Sequence, residues 1–273
     1  MWMAKHKPKW QMLKDYLVFY KKSGNLHNLH SPFIYHLAKD CLYDKTKYPD
    51  YQKLKSFQKT LLKDNSVLEI NDLGAGSHVF SSNLRPVKTI AKVSGSSFKD
   101  MKRFYRMTKY FKPKHILELG TSLGKATYAI ALAAPKSNII TVEGDQSLAR
   151  FTDALLKQFH IKNVQVLNQD FDTFLKQLNT TNQLFDMVFM DGNHQLKPTI
   201  AYFEKLQKHL HNNSVVIVDD IYWSDEMKQA WQVLKNHPNV KQSIDLFHFG
   251  LLFFRDEQFP QDFTIRFSTF NLF

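Results

Sequence analysis

A short turn near the middle of the chain has the residue types that a charged organic ligand needs. Residues 115–125 read HILELGTSLGK, so Glu118 stands just before a turn that contains Gly120 and Gly124. Glycine allows sharp turns and a close approach of the backbone to a ligand, because it has no Cβ atom. A dinucleotide site would place two further glycines where Ser122 and Lys125 stand here. Glu118 would also repel a phosphate, so the turn favours a ligand with a cationic centre.

Acidic residues also end the next two apolar runs. Glu143 closes the run IITVE, 19 residues after Gly124, where an acid can accept hydrogen bonds from both hydroxyls of a ribose. The following run leads to Asp170 and Phe171, a carboxylate that could accept from an adenine amino group and a ring that could flank the base. Ligands of parallel sheets bind outside the carboxyl ends of the strands. We therefore expect these residues to converge on one ligand.

Three more carboxylates and a histidine follow the next two apolar runs. Asp191 and His194 lie in FMDGNH, and Asp219 and Asp220 lie in VDDIYWS. Carboxylates at neighbouring strand ends repel each other unless a cation, a proton or a basic partner intervenes. One interpretation is a magnesium or calcium site. The other is a metal-free site in which Asp191 or His194 takes a proton from a substrate, or in which His194 only hydrogen-bonds the Asp219-Asp220 loop.

The elements that must position these residues form a regular pattern after residue 112. Short apolar runs alternate with amphipathic segments, which is typical of βαβ units on a parallel sheet. We predict parallel strands at 115–119, 138–143, 163–167, 185–190 and 214–219, with helices at 124–134, 146–159, 170–178 and 196–210. Two closing runs, 240–248 and 250–255, lie too close together for a crossover helix. They predict an antiparallel pair that turns at Phe249-Gly250.

The residues before 112 have a different character. Segments 9–22, 50–63 and 97–111 mix apolar and basic residues at helical spacing. We predict a mainly helical N-terminal region, residues 1–111, that caps the site or binds the substrate, followed by a ligand-binding domain, residues 112–273. Ser31 and Pro32 predict the start of a helix, with a lid or acceptor-binding role as the alternative. The Gly74-Ala75-Gly76 stretch predicts a loop, because no second strand ending in an acid follows it.

Residues from about 112 to 256 resemble the class I S-adenosylmethionine-dependent methyltransferases. They are closest to the small-molecule O-methyltransferases related to catechol O-methyltransferase. ELGTSLG is similar to the first motif of that family, TVEGD to the second, and FMDGNH and VDDIYWS to the fourth and fifth. The resemblance implies a doubly wound, seven-stranded, mostly parallel α/β sheet of the Rossmann-like kind with an antiparallel last hairpin. It also implies an enzyme that uses S-adenosylmethionine to methylate an oxygen of a small acceptor.

The resemblance also implies a role for each motif residue. The expected cofactor-binding residues are Glu118, Gly120, Thr121, Ser122, Gly124, Glu143, Asp170 and Phe171. Within this set the first turn holds the methionine part and Glu143 holds the ribose. The expected catalytic residues are Asp191, His194 and Asp219. Metal-dependent relatives have an Asp-Asn pair after the fifth strand, whereas this chain has Asp219-Asp220, so a magnesium ion at Asp191, Asp219 and Asp220 stays an open alternative.

Net charge, cysteine count and the lengths of the apolar segments limit the classes of protein to which this chain can belong. The 273-residue chain has a net charge of +12, with the basic excess lying mainly before residue 115, which indicates either a solvated lysine-rich surface or a basic face. Cys41 is the single cysteine, so neither an intrachain disulfide nor a cysteine cluster for zinc can form. The first residues, MWMAKHKPKW, lack the apolar region of a signal peptide. No window approaches the ~20 apolar residues of a spanning helix, so we expect a cytoplasmic protein with no membrane span.

Two other functions stay open at this point. An RNA-modifying methyltransferase would use the basic N-terminal region to bind phosphates, but the chain has neither an Asn-Pro-Pro-Tyr-like tetrad after the fourth strand nor a Pro-Cys nucleophile. A nicotinamide-binding or non-enzymatic α/β protein would prefer glycine at positions 122 and 125. Calorimetry with S-adenosylhomocysteine and with NAD separates these possibilities.

Overall fold

The computed structural model describes residues 7–70 and 82–267. Its α-helices are α1 (Lys9–Lys22), α2 (Pro32–Leu37), α3 (Tyr51–Lys63), α4 (Val87–Val93), α5 (Phe98–Phe111), α6 (Lys125–Ala133), α7 (Gln146–Gln158), α8 (Phe171–Leu178), α9 (Leu196–Leu206) and α10 (Asp225–Lys235). Its strands are β1 (Val67–Glu69), β2 (Leu84–Pro86), β3 (His115–Leu119), β4 (Asn138–Glu143), β5 (Val164–Asn168), β6 (Phe185–Met190), β7 (Leu210–Asp219), β8 (Gln242–Asp245), β9 (Phe249–Phe253) and β10 (Gln261–Thr264). The Gly74-Ala75-Gly76 stretch lies outside the described residues.

The chain divides into two compact units. One combines Met1–Tyr43 with Gln177–Phe273, and the other is Asp44–Lys176. The helices before residue 112 are thus shared between the units, with α1 and α2 in the first and α3, α4 and α5 in the second. The boundary that we predict at residue 112 rests on a change in sequence pattern, and it stays a prediction.

The Asp44–Lys176 unit contains three parallel strands in the order β3-β4-β5. Their register places Glu118 beside Thr141 and Glu143 beside Asn168. Strands that are buried on both faces have nearly continuous apolar sequences, and this is why these strands could be predicted. Helices α3, α5 and α6 pack on one another, and β1 and β2 form a separate antiparallel ribbon.

The other unit contains the strand order β10-β8-β9-β7-β6. Strands β6 and β7 are parallel, whereas β9 runs antiparallel to both β7 and β8, so the predicted closing antiparallel pair is confirmed. Its turn lies at 246–248 and not at Phe249-Gly250, because Gly250 pairs with both Val218 and Asp245 inside the strands. A Cβ atom at Gly250 would collide with the ring of Trp231, so a side chain does not fit there.

Most of the predicted elements are confirmed, with differences at β7, α9 and β10. Strand β7 begins at Leu210 rather than at 214, and α9 gives way to a 3-10 turn after Leu206. Strand β10 was not predicted; it pairs in parallel with β8 and makes eight strands from β3 to β10 instead of seven. The predicted helix start at Ser31 is confirmed, since its side chain accepts a hydrogen bond from the Ile34 amide at 3.4 Å.

The fold class that we predict is confirmed: a mostly parallel α/β sheet with an antiparallel hairpin and a mainly helical N-terminal region. Among the helices of residues 7–70 and 82–267, none is both long enough and apolar enough to cross a membrane.

Candidate active site

The turn after β3 is defined by backbone conformations that few residues adopt. Gly120, Ser122 and Gly124 have φ angles of 104°, 48° and 71°, in the region that favours glycine. A Cβ atom on Gly124 would lie 2.6 Å from the Thr152 Cγ2 atom, so this position needs glycine for space as well. The Thr152 hydroxyl donates to the Ser122 carbonyl at 2.7 Å and fixes the turn. Helix α6 begins directly after it, and the first N–H groups of a helix have no partner within the helix.

Glu118 lies buried at the end of β3 among threonine hydroxyls. Thr127 and Thr141 donate to its Oε2 atom at 2.5 Å and 2.6 Å, and the Thr141 hydroxyl also lies 2.6 Å from that of Thr121. A buried carboxyl group needs such donors, because it has lost its hydration. Sequence reasoning missed the roles of Thr127 and Thr141. Each of these threonines is a polar residue inside an otherwise apolar run, and this pattern could have indicated them. Thr141 lies opposite Glu118 in the strand register.

Glu143 joins the first and second motifs by hydrogen bonds. Its Oε2 atom accepts from the Ser122 amide at 2.8 Å, and its Oε1 atom accepts from the Asp145 amide at 3.0 Å. Burial raises the pKa of the Glu143 carboxyl, and these two amides oppose that rise. A carboxylate has about four lone-pair sites. Two amide contacts therefore leave it capacity to accept from ligand hydroxyls.

Lys125 occupies the position where a dinucleotide motif would have glycine, and its side chain serves the protein itself. The buried Nζ atom donates to the carbonyls of Ala91 at 3.1 Å and Ser94 at 2.7 Å, where α4 ends. A cation is favourable there because the last carbonyls of a helix lack partners and carry partial negative charge. This arrangement agrees with the prediction that the turn is not a pyrophosphate site.

Asp170 lies exposed at the start of α8. It accepts from the Thr173 amide at 2.8 Å, and hydrogen bonds from the side chain and then the amide of Thr173 hold the pKa of the Asp170 carboxyl below its usual range. Asn168, at the end of β5, donates to the Glu143 carbonyl at 3.0 Å. The pairing of β4 with β5 thus places the residues just before Asp170 next to Glu143. Phe171 is the first residue of α8 and is half-buried, and an adenine contact for Asp170 and Phe171 stays a prediction.

A second set of predicted residues lies in the other unit, after β6 and β7. The His194 Nε2 atom is 3.5 Å from the Asp191 Oδ1 atom, and the His194 ring lies 5.8 Å from that of Trp223. His194 and Asp220 have φ angles of 42° and 55°. Such conformations are unfavourable for residues other than glycine and tend to occur at functional sites.

The environment of His194 alters its titration. Burial lowers the pKa of the imidazole, but the hydrogen bond that the imidazole donates to Asp191 and the charges of Asp220 and Asp191 outweigh burial and raise the pKa above its usual value. Asp191 and Asp220 therefore both favour the charged form of His194, and the catalytic roles of Asp191 and His194 stay predictions. Asp219 ends β7 in register with Phe249, and its catalytic role stays a prediction.

The alternative of a magnesium ion at Asp191, Asp219 and Asp220 gains no support from the described residues. Within residues 7–70 and 82–267, no group of three or more His, Cys, Asp or Glu side chains is disposed to hold a metal ion. The Asp191 carboxylate instead faces the imidazole of His194, a basic partner that also relieves the expected repulsion between carboxylates.

Comparison with known proteins finds a matching domain and similar folds. Residues 117–221 match the family model described as "Methyltransferase domain". The S-adenosylhomocysteine-bound methyltransferase of Podospora anserina is 15% identical with a TM-score of 0.59, over 85% of this chain and 100% of that one. An O-methyltransferase from Bacillus cereus, also in complex with S-adenosylhomocysteine, is 14% identical with a TM-score of 0.55, over 80% and 94%.

A third solved structure is the O-methyltransferase of tomaymycin synthesis from Streptomyces achromogenes, in complex with S-adenosylmethionine. It is 22% identical with a TM-score of 0.52, over 59% of this chain and 82% of that one. No curated protein matches the sequence.

Proposed function

We propose that this chain, a class I methyltransferase by domain and by fold, transfers a methyl group from S-adenosylmethionine to an oxygen atom of a small acceptor. The observation that carries the proposal is the link between the Gly120–Gly124 turn and Glu143, made by the hydrogen bond of the Ser122 amide. It joins a turn that needs glycine at position 124 to an acid that has acceptor capacity left. The names of the structural neighbours, which bind this cofactor or its product, support the same donor.

The residues of the Asp44–Lys176 unit fit such a donor. Glu143 would accept from the ribose hydroxyls, and the turn from Gly120 to Gly124 would lie against the methionine part, with Thr121 and Ser122 contributing polar groups. Glu118 supplies negative charge beneath the turn, which favours a ligand with an ammonium and a sulfonium group. Asp170 and Phe171 would contact the adenine.

The proposed chemistry requires only positioning and the removal of a proton. The bound cofactor supplies a methyl group already activated by the sulfonium, whose sulfur leaves as a neutral thioether. His194 would take the proton of the acceptor hydroxyl as its oxygen forms the new bond to carbon, and Asp191 would stabilise the resulting imidazolium. We propose that Asp219 helps to place the acceptor. A role for a divalent cation is not part of the proposal.

Calorimetry with the full-length protein tests the donor. We expect S-adenosylhomocysteine to bind and NAD not to bind. Glu143→Ala should weaken S-adenosylhomocysteine binding by about 1–3 kcal/mol, because a hydrogen-bond partner is lost. Asp153→Ala is the matched control, since Asp153 pairs with Lys157 on the exposed face of α7 and should change nothing. Unchanged affinity in Glu143→Ala, or tighter binding of NAD, would overturn the assignment.

The acceptor itself is proposed only as a small molecule with a hydroxyl group. The RNA-modifying alternative gains no support from the comparisons, whose named neighbours include O-methyltransferases. A cytoplasmic location stays a prediction from the sequence.

A further inference from the structure

The outer surface of α1 is unusually apolar. Of the eleven large hydrophobic side chains that are exposed among the described residues, five lie on this one helix: Trp10 (60%), Leu13 (40%), Leu17 (49%), Val18 (52%) and Tyr20 (40%). Trp10, Leu13, Leu17 and Tyr20 follow one another at intervals of three or four residues. They therefore form one stripe, the α1 stripe, along a helix about 21 Å long. Single exposed apolar residues are ordinary, but a contiguous set indicates an interaction site.

Lysines surround the α1 stripe. Lys9, Lys14, Lys21 and Lys22 are all exposed, and Lys14 lies with its Nζ atom 4.5 Å from the centre of the Trp10 ring. Asp15 is the only acidic residue of α1, and its side chain is largely buried. The outer surface of the helix thus carries four cations and no carboxylate.

Another face of α1 already holds the helix in place, so the stripe is not the side that packs into the protein. Tyr16 and Phe19 are buried against Phe247, at ring distances of 5.0 Å and 5.4 Å. Asp15 accepts from Lys228 at 2.6 Å and from the buried Lys7 at 2.5 Å. These two contacts hold the pKa of Asp15 below its usual range although burial acts in the other direction. The helix therefore presents the stripe from a fixed position.

The arrangement of charges decides between possible occupants. The spacing of the stripe would suit a coiled coil, but a second copy of α1 would place its own Lys9, Lys14 and Lys21 beside these lysines, and like charges at such positions oppose pairing. RNA would find cations and one or two rings to stack on, yet Leu13 and Leu17 offer nothing to phosphates or bases. An anionic lipid surface can contact all of these side chains. The leucines would enter the boundary of the acyl chains, Trp10 and Tyr20 would lie at the headgroups, and the lysines would pair with lipid phosphates.

We propose that α1 is an interfacial helix through which the chain binds an anionic lipid surface. It lies flat, with the α1 stripe facing the acyl chains and Lys9, Lys14, Lys21 and Lys22 among the headgroups. Because α1 has only 14 residues, it is far too short to cross a bilayer, which takes about 20 apolar residues. This proposal does not depend on the reaction that the protein catalyses.

Co-sedimentation of the full-length protein with lipid vesicles tests the proposal. We expect binding to vesicles of phosphatidylglycerol and phosphatidylcholine in equal parts, little binding to pure phosphatidylcholine, and weaker binding as NaCl increases. The double variant Lys14→Glu/Lys21→Glu should lose about tenfold or more in affinity, because each lysine near an anionic surface contributes about fivefold. Leu13→Gln/Leu17→Gln should lose a similar factor through the loss of apolar burial.

Matched substitutions on other helices serve as controls. Val233→Gln on α10 and Lys92→Glu on α4 change an exposed apolar residue and an exposed lysine, and both should bind like the wild type. Equal unfolding temperatures show that each variant folds. The proposal fails if the wild type does not bind the anionic vesicles, or if the controls lose as much as the α1 variants. It also fails if the wild type is a dimer that Leu13→Gln/Leu17→Gln converts to monomers, because the stripe would then bind a second copy.

Discussion

At the scale of single residues, the surroundings of Glu143 and His194 set their chemistry. Burial raises the pKa of the Glu143 carboxyl despite the two amides that hydrogen-bond to it. Burial acts against the charged form of His194, but Asp191 and Asp220 outweigh it and raise the pKa of the imidazole. Both groups therefore keep a proton to higher pH than the same residues do in water. Glu143 must be ionised to accept from the ribose hydroxyls, and His194 must be neutral to act as a general base. Both pKa shifts therefore move the onset of activity to higher pH.

Replacement of His194 tests its role as the base. His194→Gln should lower kcat by about 10²- to 10⁴-fold, the usual contribution of a general base, with little change in KM for the cofactor. Asp191→Asn should move the acidic limb of the kcat/KM profile to lower pH, because it removes a charge that raises the pKa of His194. His211→Gln is the control, since His211 pairs with Asp186 away from this loop. A near-normal kcat in His194→Gln would leave only a structural role for the side chain.

The same residue should also affect stability in a definite direction. The folded-state pKa of His194 lies above the usual value of 6.5, so the folded protein binds the proton more tightly than the unfolded chain does. The stabilisation is complete below pH 6.5 and disappears as the pH rises through the folded-state pKa. Urea unfolding of wild type and His194→Gln at several pH values should show a stability difference that shrinks with increasing pH. A difference that grows instead would contradict the direction of the shift.

At the scale of elements, the connection from β3 to α6 depends on Gly124. Gly124→Ala should destabilise the protein by about 1–3 kcal/mol, since alanine is disfavoured at a φ of 71° and its Cβ atom would lie 2.6 Å from the Thr152 Cγ2 atom. Urea unfolding measures the loss. Thr152→Ser removes the obstructing methyl group while keeping the hydroxyl that binds Ser122, so the double variant should recover the steric part only. Full recovery would mean that the backbone conformation carries no strain.

Elements were predictable from the sequence where one residue pattern determines them. Strands β3, β4 and β6 are short apolar runs covered on both faces, and they begin and end where the pattern predicts. Helix α10 also has a helical pattern of apolar residues, although we did not predict it. Its buried residues are Met227, Ala230, Trp231 and Leu234. Strand β10 had no such pattern. Only Phe263 of its four residues is buried, and its pairing with β8 is a tertiary contact.

The site residues divide in the same way. Glu118, Gly120, Gly124 and Glu143 lie at or just beyond the carboxyl ends of β3 and β4, so the sequence pattern is enough to find their positions. The threonines around Glu118 could not be assigned from spacing, because their partner is decided by the pairing of β3 with β4 and by the packing of α6. Asn193 and His194, which lie next to the contact with Asp191, have left-handed conformations. Asparagine and histidine adopt this region more often than most residues do, but their presence alone does not predict it.

At the scale of the whole molecule, segments that lie far apart in the sequence belong to one compact unit. Met1–Tyr43 joins Gln177–Phe273, and the contact of Asp15 with Lys228 spans 213 residues of sequence. Composition and periodicity carry no information about such contacts. A boundary at residue 112 follows from a change in sequence pattern, whereas the compact units follow from packing between distant segments.

Ligand binding should stabilise the folded chain as a whole. A ligand that binds only the folded state at a hundred times its Kd adds about 2.7 kcal/mol to the free energy of unfolding. For a protein of this size, each kcal/mol raises Tm by about 2–4 °C. S-adenosylhomocysteine at that excess should therefore raise Tm by about 5–10 °C in scanning calorimetry, and an equal concentration of NAD should not. Glu143→Ala should need about tenfold more S-adenosylhomocysteine for the same rise, because its loss of 1–3 kcal/mol corresponds to at least a fivefold higher Kd. A rise that is the same for both ligands would show that the turn after β3 does not distinguish a sulfonium nucleoside from a dinucleotide.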